Sequence, residues 1–254
     1  MVIGIQLYTL RESTKNLYDF SETLKKVADV GYTAVQVSGT CEYEPQWLAD
    51  QLKENGLKCV LTHVSPKRIL SDTAGLCEEH KIFGCRNIGL GSMGRNFTLG
   101  KYDEFVKKYK PAISEIAKNG CKFFFHNHCE ELKKHSDGTR ITERLIRDFS
   151  PDELNITLDT YWVAYAGCDP SECLQKLKGR VECIHLKDMI IDPTAWEHRM
   201  APVGYGNMNF EKIINTAADC GTEYLLVEQD DCYEDDPFEC MKKSYQYLKS
   251  LGLK

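Results

Sequence analysis

Lys118-Asn119-Gly120-Cys121-Lys122-Phe123-Phe124-Phe125-His126-Asn127-His128 contains the unit from which the fold is read. A helix-like run ends at a glycine, a short apolar strand follows, and the strand ends in polar side chains. Glycine just past a helix end takes the left-handed conformation at little cost. A short, continuously apolar run is what a strand covered on both faces carries. The chain repeats this unit six times, at Gly31, Gly56, Gly84, Gly120, Gly179 and Gly221. The strands that follow are Ala34–Val37, Lys58–Val64, Asn87–Leu90, Lys122–Phe125, Glu182–His185 and Tyr224–Val227. Val2–Leu7 and Ile156–Leu158, the latter just ahead of Asp159, complete a set of eight.

The segments between them show helical spacing, as in Phe20, Leu24, Val27 and Ala28. Pro111 is expected to kink or break the run from Tyr102 to Lys118. Strands alternating with helices imply right-handed crossovers and a parallel sheet. The chain has 254 residues, and a (β/α)8 TIM barrel takes about 250. Eight units fit a closed α/β barrel better than an open sheet. No linker-like stretch divides the chain, so residues 1–254 are read as one domain.

Hydrophobic residues make up 42% of the chain and charged residues 28%, with a net charge of -6. That acidic balance lacks the basic field used by most nucleic-acid and anionic-membrane binders. The 12 cysteines include no Cys-x-x-Cys pair. They read as reduced thiols acting as small core residues. The start, Met1-Val2-Ile3-Gly4-Ile5-Gln6, has no basic leader, and no stretch approaches ~20 apolar residues. A cytoplasmic location is expected, in which case the sequons at Asn96 and Asn155 carry no meaning.

Most strand ends are polar: Gln6 and Tyr8, Gln36 and Ser38, His63, His126 and His128, Asp159, His185 and Lys187, and Glu228. In a barrel these ends meet at one face, the face that carries the active site. A lone histidine there is more often structural. Asp159, His185 and Glu228 ending three successive strands point instead to a metal centre. Oxygen and imidazole donors without thiolate suit one divalent ion, Mn²⁺, Mg²⁺, Co²⁺ or Zn²⁺.

The order and spacing of six short motifs resemble the sugar phosphate isomerase/epimerase family, the xylose isomerase-like barrels. They are Gln6-Leu7-Tyr8-Thr9-Leu10-Arg11, Phe125-His126-Asn127-His128, Leu158-Asp159-Thr160-Tyr161-Trp162, Ile184-His185-Leu186-Lys187-Asp188, Val203-Gly204-Tyr205-Gly206-Asn207 and Val227-Glu228-Gln229-Asp230. The resemblance covers nearly the whole chain. It implies metal ligands Glu, Asp, His and Glu from the fifth to eighth strands, and the last three fall on Asp159, His185 and Glu228. At the fifth strand the glutamate is missing. His126 is the preferred replacement, with His128 and Glu131 as alternatives.

The resemblance further implies isomerisation or epimerisation of a small carbohydrate. Glu228 would be ligand and proton-transfer base, and Lys187 would neutralise developing charge. His63, His128 and Trp162 would contact substrate. A keto-sugar or inosose dehydratase using the same site is the runner-up. A metal-dependent nuclease and a non-catalytic sugar-binding barrel rank lower. No nucleic-acid or membrane partner is expected, and a homo-oligomer is allowed for.

Three further signals have plainer readings. Gly89-Leu90-Gly91-Ser92-Met93-Gly94 fits the letter of a dinucleotide fingerprint, but a polar stretch follows where a helix should open. It reads as a loop over the barrel mouth. Gly204-Tyr205-Gly206 offers backbone N–H groups to a substrate phosphate, or is simply a turn. The acidic stretch from Glu223 to Asp236 reads as solvated loop apart from Glu228.

Overall fold

The computed structural model describes residues 1–253. Eight parallel strands close into a barrel: β1 (Val2–Gln6), β2 (Ala34–Val37), β3 (Lys58–His63), β4 (Asn87–Leu90), β5 (Lys122–His126), β6 (Leu154–Asp159), β7 (Cys183–Leu186) and, last in the chain, Tyr224–Val227. Two more strands, β8 (Asp188–Asp192) and β9 (Glu197–Ala201), form a separate antiparallel hairpin, which makes Tyr224–Val227 β10. The ring closes where β1 pairs with β10, with Val2 opposite Tyr224 and Ile5 opposite Val227. The TIM barrel expectation holds.

Residue period two decides what each strand contributes. Phe123 and Phe125 point outward and join the large core beneath the helices. Phe124 points inward and joins a small separate cluster with Ala34, Val60, Leu61, Cys183 and Leu226, the packed interior of the barrel. Two residues further along the same inward phase come Gln36, His63, His126, His185 and Glu228. The strand period alone therefore places a polar layer on top of the apolar plug.

The six helix-ending glycines all have positive φ, as expected of left-handed caps. The helix Leu17–Val30 shows the logic: Asn16 caps its first turn, Phe20, Leu24 and Val27 are buried, and Gly31 ends it.

One expectation is corrected and one element is new. The helix Leu99–Lys118 runs unbroken through Pro111. Pro111 lies on the solvent face, where water can satisfy the carbonyl it deprives of a partner, while Tyr102, Phe105, Tyr109, Ile113 and Ile116 anchor the buried face. The hairpin of β8 and β9 was not anticipated. Its outer residues Ile190 and Ile191 are exposed, so it lacks the burial pattern that marks a barrel strand. Among the described residues no helix is long and apolar enough to cross a membrane, and all twelve cysteines are free.

Candidate active site

At the C-terminal ends of the strands, His126, Asp159, His185 and Glu228 bring four donor atoms within 4.8 Å of one another. All four residues are buried. Asp159 Oδ2 lies 3.2 Å from His126 Nε2 and 3.8 Å from His185 Nδ1. His185 Nδ1 lies 2.8 Å from Glu228 Oε2.

The outer nitrogens of both imidazoles are already committed. His185 Nε2 meets Gln36 Oε1 at 2.7 Å, and His126 Nδ1 meets the carbonyl of Gly91 at 2.9 Å. An oxygen acceptor demands an N–H, so each contact fixes the ring proton on the outer nitrogen. His126 Nε2 and His185 Nδ1 then present lone pairs towards carboxylate oxygens. Lone pairs facing carboxylates are stable only around positive charge. His185 Nδ1 and Glu228 Oε2 are close, yet neither is buried in a properly directed hydrogen bond. This is the donor chemistry and the outer-nitrogen support that a borderline divalent cation requires. Ligands each about 2.1 Å from one ion lie at most about 4.2 Å apart, so the four donor atoms would need only a small inward shift to hold one.

Lys187 supplies the other positive charge. Its Nζ lies 3.0 Å from Asp159 Oδ2, 3.0 Å from Glu228 Oε2 and 2.9 Å from Asp230 Oδ2. Burial would raise the carboxyls of Asp159 and Glu228, but the Lys187 ammonium and the neighbouring histidines override it and hold both well below the usual range. Burial lowers His185, but Glu228 and Asp159 override that and raise it above its ordinary value, so that without a cation Nδ1 can take a second proton, which a bound ion would displace. Asp230 goes the other way: burial, then the charge of Glu228, push it up to about 6 against the pull of Lys187.

Above this layer lies a cavity of about 470 Å³ lined by Tyr8, Arg11, His63, His128, Lys187 and Glu228, among others. Gln6 Nε2 and Ser38 Oγ stand 3.5 and 3.4 Å from His63 Nδ1. The other end of the Gln6 amide accepts from the Tyr8 N–H, which orients it. Both neighbours therefore face His63 Nδ1 as donors. The ring proton falls on Nε2, which is buried without a partner. Burial, reinforced by His126, depresses the pKa of His63. Burial, then His126, lowers His128 to about 3. Both rings are neutral at pH 7. Gly91 must lack a side chain, because a Cβ there would sit 2.8 Å from His63 Nδ1.

Of the three fifth-strand alternatives, His126 joins the cluster. Glu131 accepts the backbone N–H of His128 at 2.9 Å instead. His128 lines the cavity, with its ring 4.8 Å from that of His126. Trp162 does not line the cavity. It packs behind His128 at 5.3 Å, and its backbone N–H donates to Asp159 Oδ1. Any influence of Trp162 on a ligand therefore passes through those two residues. The loop Gly204–Gly206 is a turn. Its N–H groups at Gly204 and Gly206 both donate to Asp188 Oδ2, at 3.0 and 2.8 Å, and are not free for a phosphate.

Three participants escaped the sequence reading. Gln36 was noted only as a polar strand end, and Gly91 contributes a carbonyl, which no residue type advertises. Asp230 was assigned to solvated loop, yet it pairs with buried Lys187. Its place two residues beyond Glu228 was the available signal.

The family model for xylose isomerase-like TIM barrels matches residues 24–251. An inosose dehydratase of Geobacillus kaustophilus is 22% identical over 198 residues, which is 68% of this chain and 63% of that protein, less than two thirds of its length. A sugar phosphate isomerase/epimerase of Parabacteroides distasonis has a similar structure, with a TM-score of 0.82 at 22% identity, over 98% of this chain and 93% of that one. An L-ribulose 3-epimerase gives a TM-score of 0.75 at 15% identity, over 100% and 95%. The likeness to these two structures is one of fold.

Proposed function

The chain belongs to the xylose isomerase-like TIM barrel family, and from that premise we propose that it is a divalent-metal-dependent isomerase or epimerase of a small polyhydroxylated carbonyl compound. One observation carries the reading. Two imidazoles with outer nitrogens pinned by Gln36 and Gly91 present inner lone pairs to two buried carboxylates, beside a buried ammonium. His126, Asp159, His185 and Glu228 would hold the ion. When bound, a divalent cation polarises a carbonyl and makes the neighbouring C–H more acidic.

The chain's own residues supply the rest. Glu228, kept ionised by Lys187 and His185, takes the proton from the carbon next to the carbonyl. As negative charge develops on the substrate oxygen, the buried Lys187 ammonium faces it. His63, with its proton on Nε2, donates to a substrate hydroxyl or carbonyl oxygen, and neutral His128 offers a second polar contact beside it. Returning the proton to the former carbonyl carbon, while the neighbouring hydroxyl gives its proton to the former carbonyl oxygen, gives isomerisation. Epimerisation would instead need a second group, on the opposite face, to deliver a different proton to the same carbon.

A dehydratase reading has its own support: the G. kaustophilus relative is named inosose dehydratase, and the fifth strand carries His126 where a second carboxylate would serve a two-carboxylate epimerase. Removal of the same α-proton would then be followed by loss of a β-hydroxyl. A panel of ketoses, aldoses and keto-inositols incubated with the metal-loaded protein in deuterium oxide tests both. Proton NMR should show exchange α to the carbonyl together with an isomeric sugar. A dehydrated enone product would select the second reading. Neither exchange nor product from any compound, with metal bound, would sink both.

A further inference from the structure

We propose that Arg11 anchors an oxyanion of the substrate, so that the compound this barrel acts on carries a carboxylate or a phosphate as well as its carbonyl. The inference deepens the proposed function and rests on it. Arg11 lies in the 3-10 turn Leu7–Ser13 that follows β1, and it lines the cavity above the buried cluster. Its Nη1 donates to the Tyr8 carbonyl at 3.0 Å, and its Cζ sits 4.5 Å from the centre of the Tyr8 ring. These two contacts hold the guanidinium in place but use few of its five N–H donors. Among the described residues no carboxylate forms an ion pair with it.

Every other charge at the cavity has a partner. The Lys187 ammonium is shared among Asp159, Glu228 and Asp230. Three carboxylates against one ammonium leave two negative charges, which a divalent ion matches. Arg11 is then the one charge on the wall without a counterpart. A planar guanidinium fork suits bidentate contact with a carboxylate or phosphate, and its attraction is stronger in a cavity than in open water. The rival anchor in the sequence, Gly204–Gly206, is spent on Asp188.

The test is isothermal titration of the metal-loaded full-length protein with D-ribulose 5-phosphate, 2-keto-D-gluconate and D-fructose. At least one of the two anions should bind about tenfold or more tightly than the neutral ketose, the effect expected of a charge-assisted hydrogen bond. Preference for the phosphate ester alone, or for the acid alone, identifies the source of the oxyanion. The gap should close in Arg11→Gln and be partly kept in Arg11→Lys, which retains the charge and guards against a folding defect. D-fructose bound as tightly as both anions, or a gap that persists in Arg11→Gln, would overturn the anchor. If none of the three binds although metal does, the carbohydrate reading falls, and the anchor with it.

Discussion

His185 Nε2 and Gln36 Oε1 stand 2.7 Å apart across the barrel, joining β7 to β2. This contact decides which nitrogen of His185 faces the carboxylates. Gln36→Leu removes the acceptor and frees the ring to turn or to change tautomer. Metal affinity should fall by about 10- to 100-fold, as is usual when such a partner is lost, whereas Gln36→Glu keeps an acceptor and should retain more of it. Competition against a chromophoric chelator measures both. Unchanged affinity in Gln36→Leu would remove the tautomer argument.

The donor set also predicts which ions are preferred. Two imidazoles with two carboxylates favour Zn²⁺ or Co²⁺ over Mg²⁺, which prefers all-oxygen sites. Alanine at Asp159, His185 or Glu228 should sharply reduce bound metal, and His126→Ala should do so more than His128→Ala. His126→Glu should move the preference towards Mg²⁺ and Mn²⁺. Metal content after dialysis against an equimolar mixture provides the measurement. A stronger loss in His128→Ala would reassign the fifth-strand ligand.

Glu228→Gln separates ligand from base. The amide keeps one oxygen for a metal but cannot accept the substrate proton. With metal at saturation, turnover should remain down by ~10²-fold or more, and exchange of the α-proton with solvent should be lost. Recovery of activity with excess metal would mean that Glu228 serves only as a ligand.

Acid stability should depend on a histidine outside the site. His80 is buried, with Nε2 2.8 Å from Thr62 Oγ1 and Nδ1 2.8 Å from the Leu76 carbonyl. Burial, partly offset by the bond to Leu76, lowers it from 6.5 to about 4. Above pH 6.5 folded and unfolded chains are both neutral at this position and its contribution is complete. As pH falls from 6.5 towards 4, only the unfolded chain takes up the proton, so stability drops by up to about 3 kcal/mol. Denaturant melts across that window should show a shallower fall in His80→Asn. Equal slopes would exclude His80 as the source.

The barrel strands were legible because each is a short apolar run with a glycine or turn before it. Asp159, His185 and Glu228 were legible because they continue the inward phase of those runs. Asp230 and Gln36 owe their roles to partners 43 and 149 residues away, and no local pattern records such distances. Arg11 was quoted within a motif, but its lack of a carboxylate partner emerges only in three dimensions. The hairpin after Lys187 was missed because Met189 is buried while Ile190 and Ile191 are exposed, a pattern of neither strict alternation nor continuous burial.

The seam between β1 and β10 bears on how the molecule is made. Val2 to Ile5 emerge from the ribosome well before their partners Tyr224 to Val227, which come more than two hundred residues later. Until then both β1 and β7 have an unpaired edge, open to chaperones and to wrong partners. Glu228 follows directly on Val227. The nascent chain thus gains its final pairing and its last buried carboxylate together, and no intermediate length of the polypeptide carries the complete set of donor atoms.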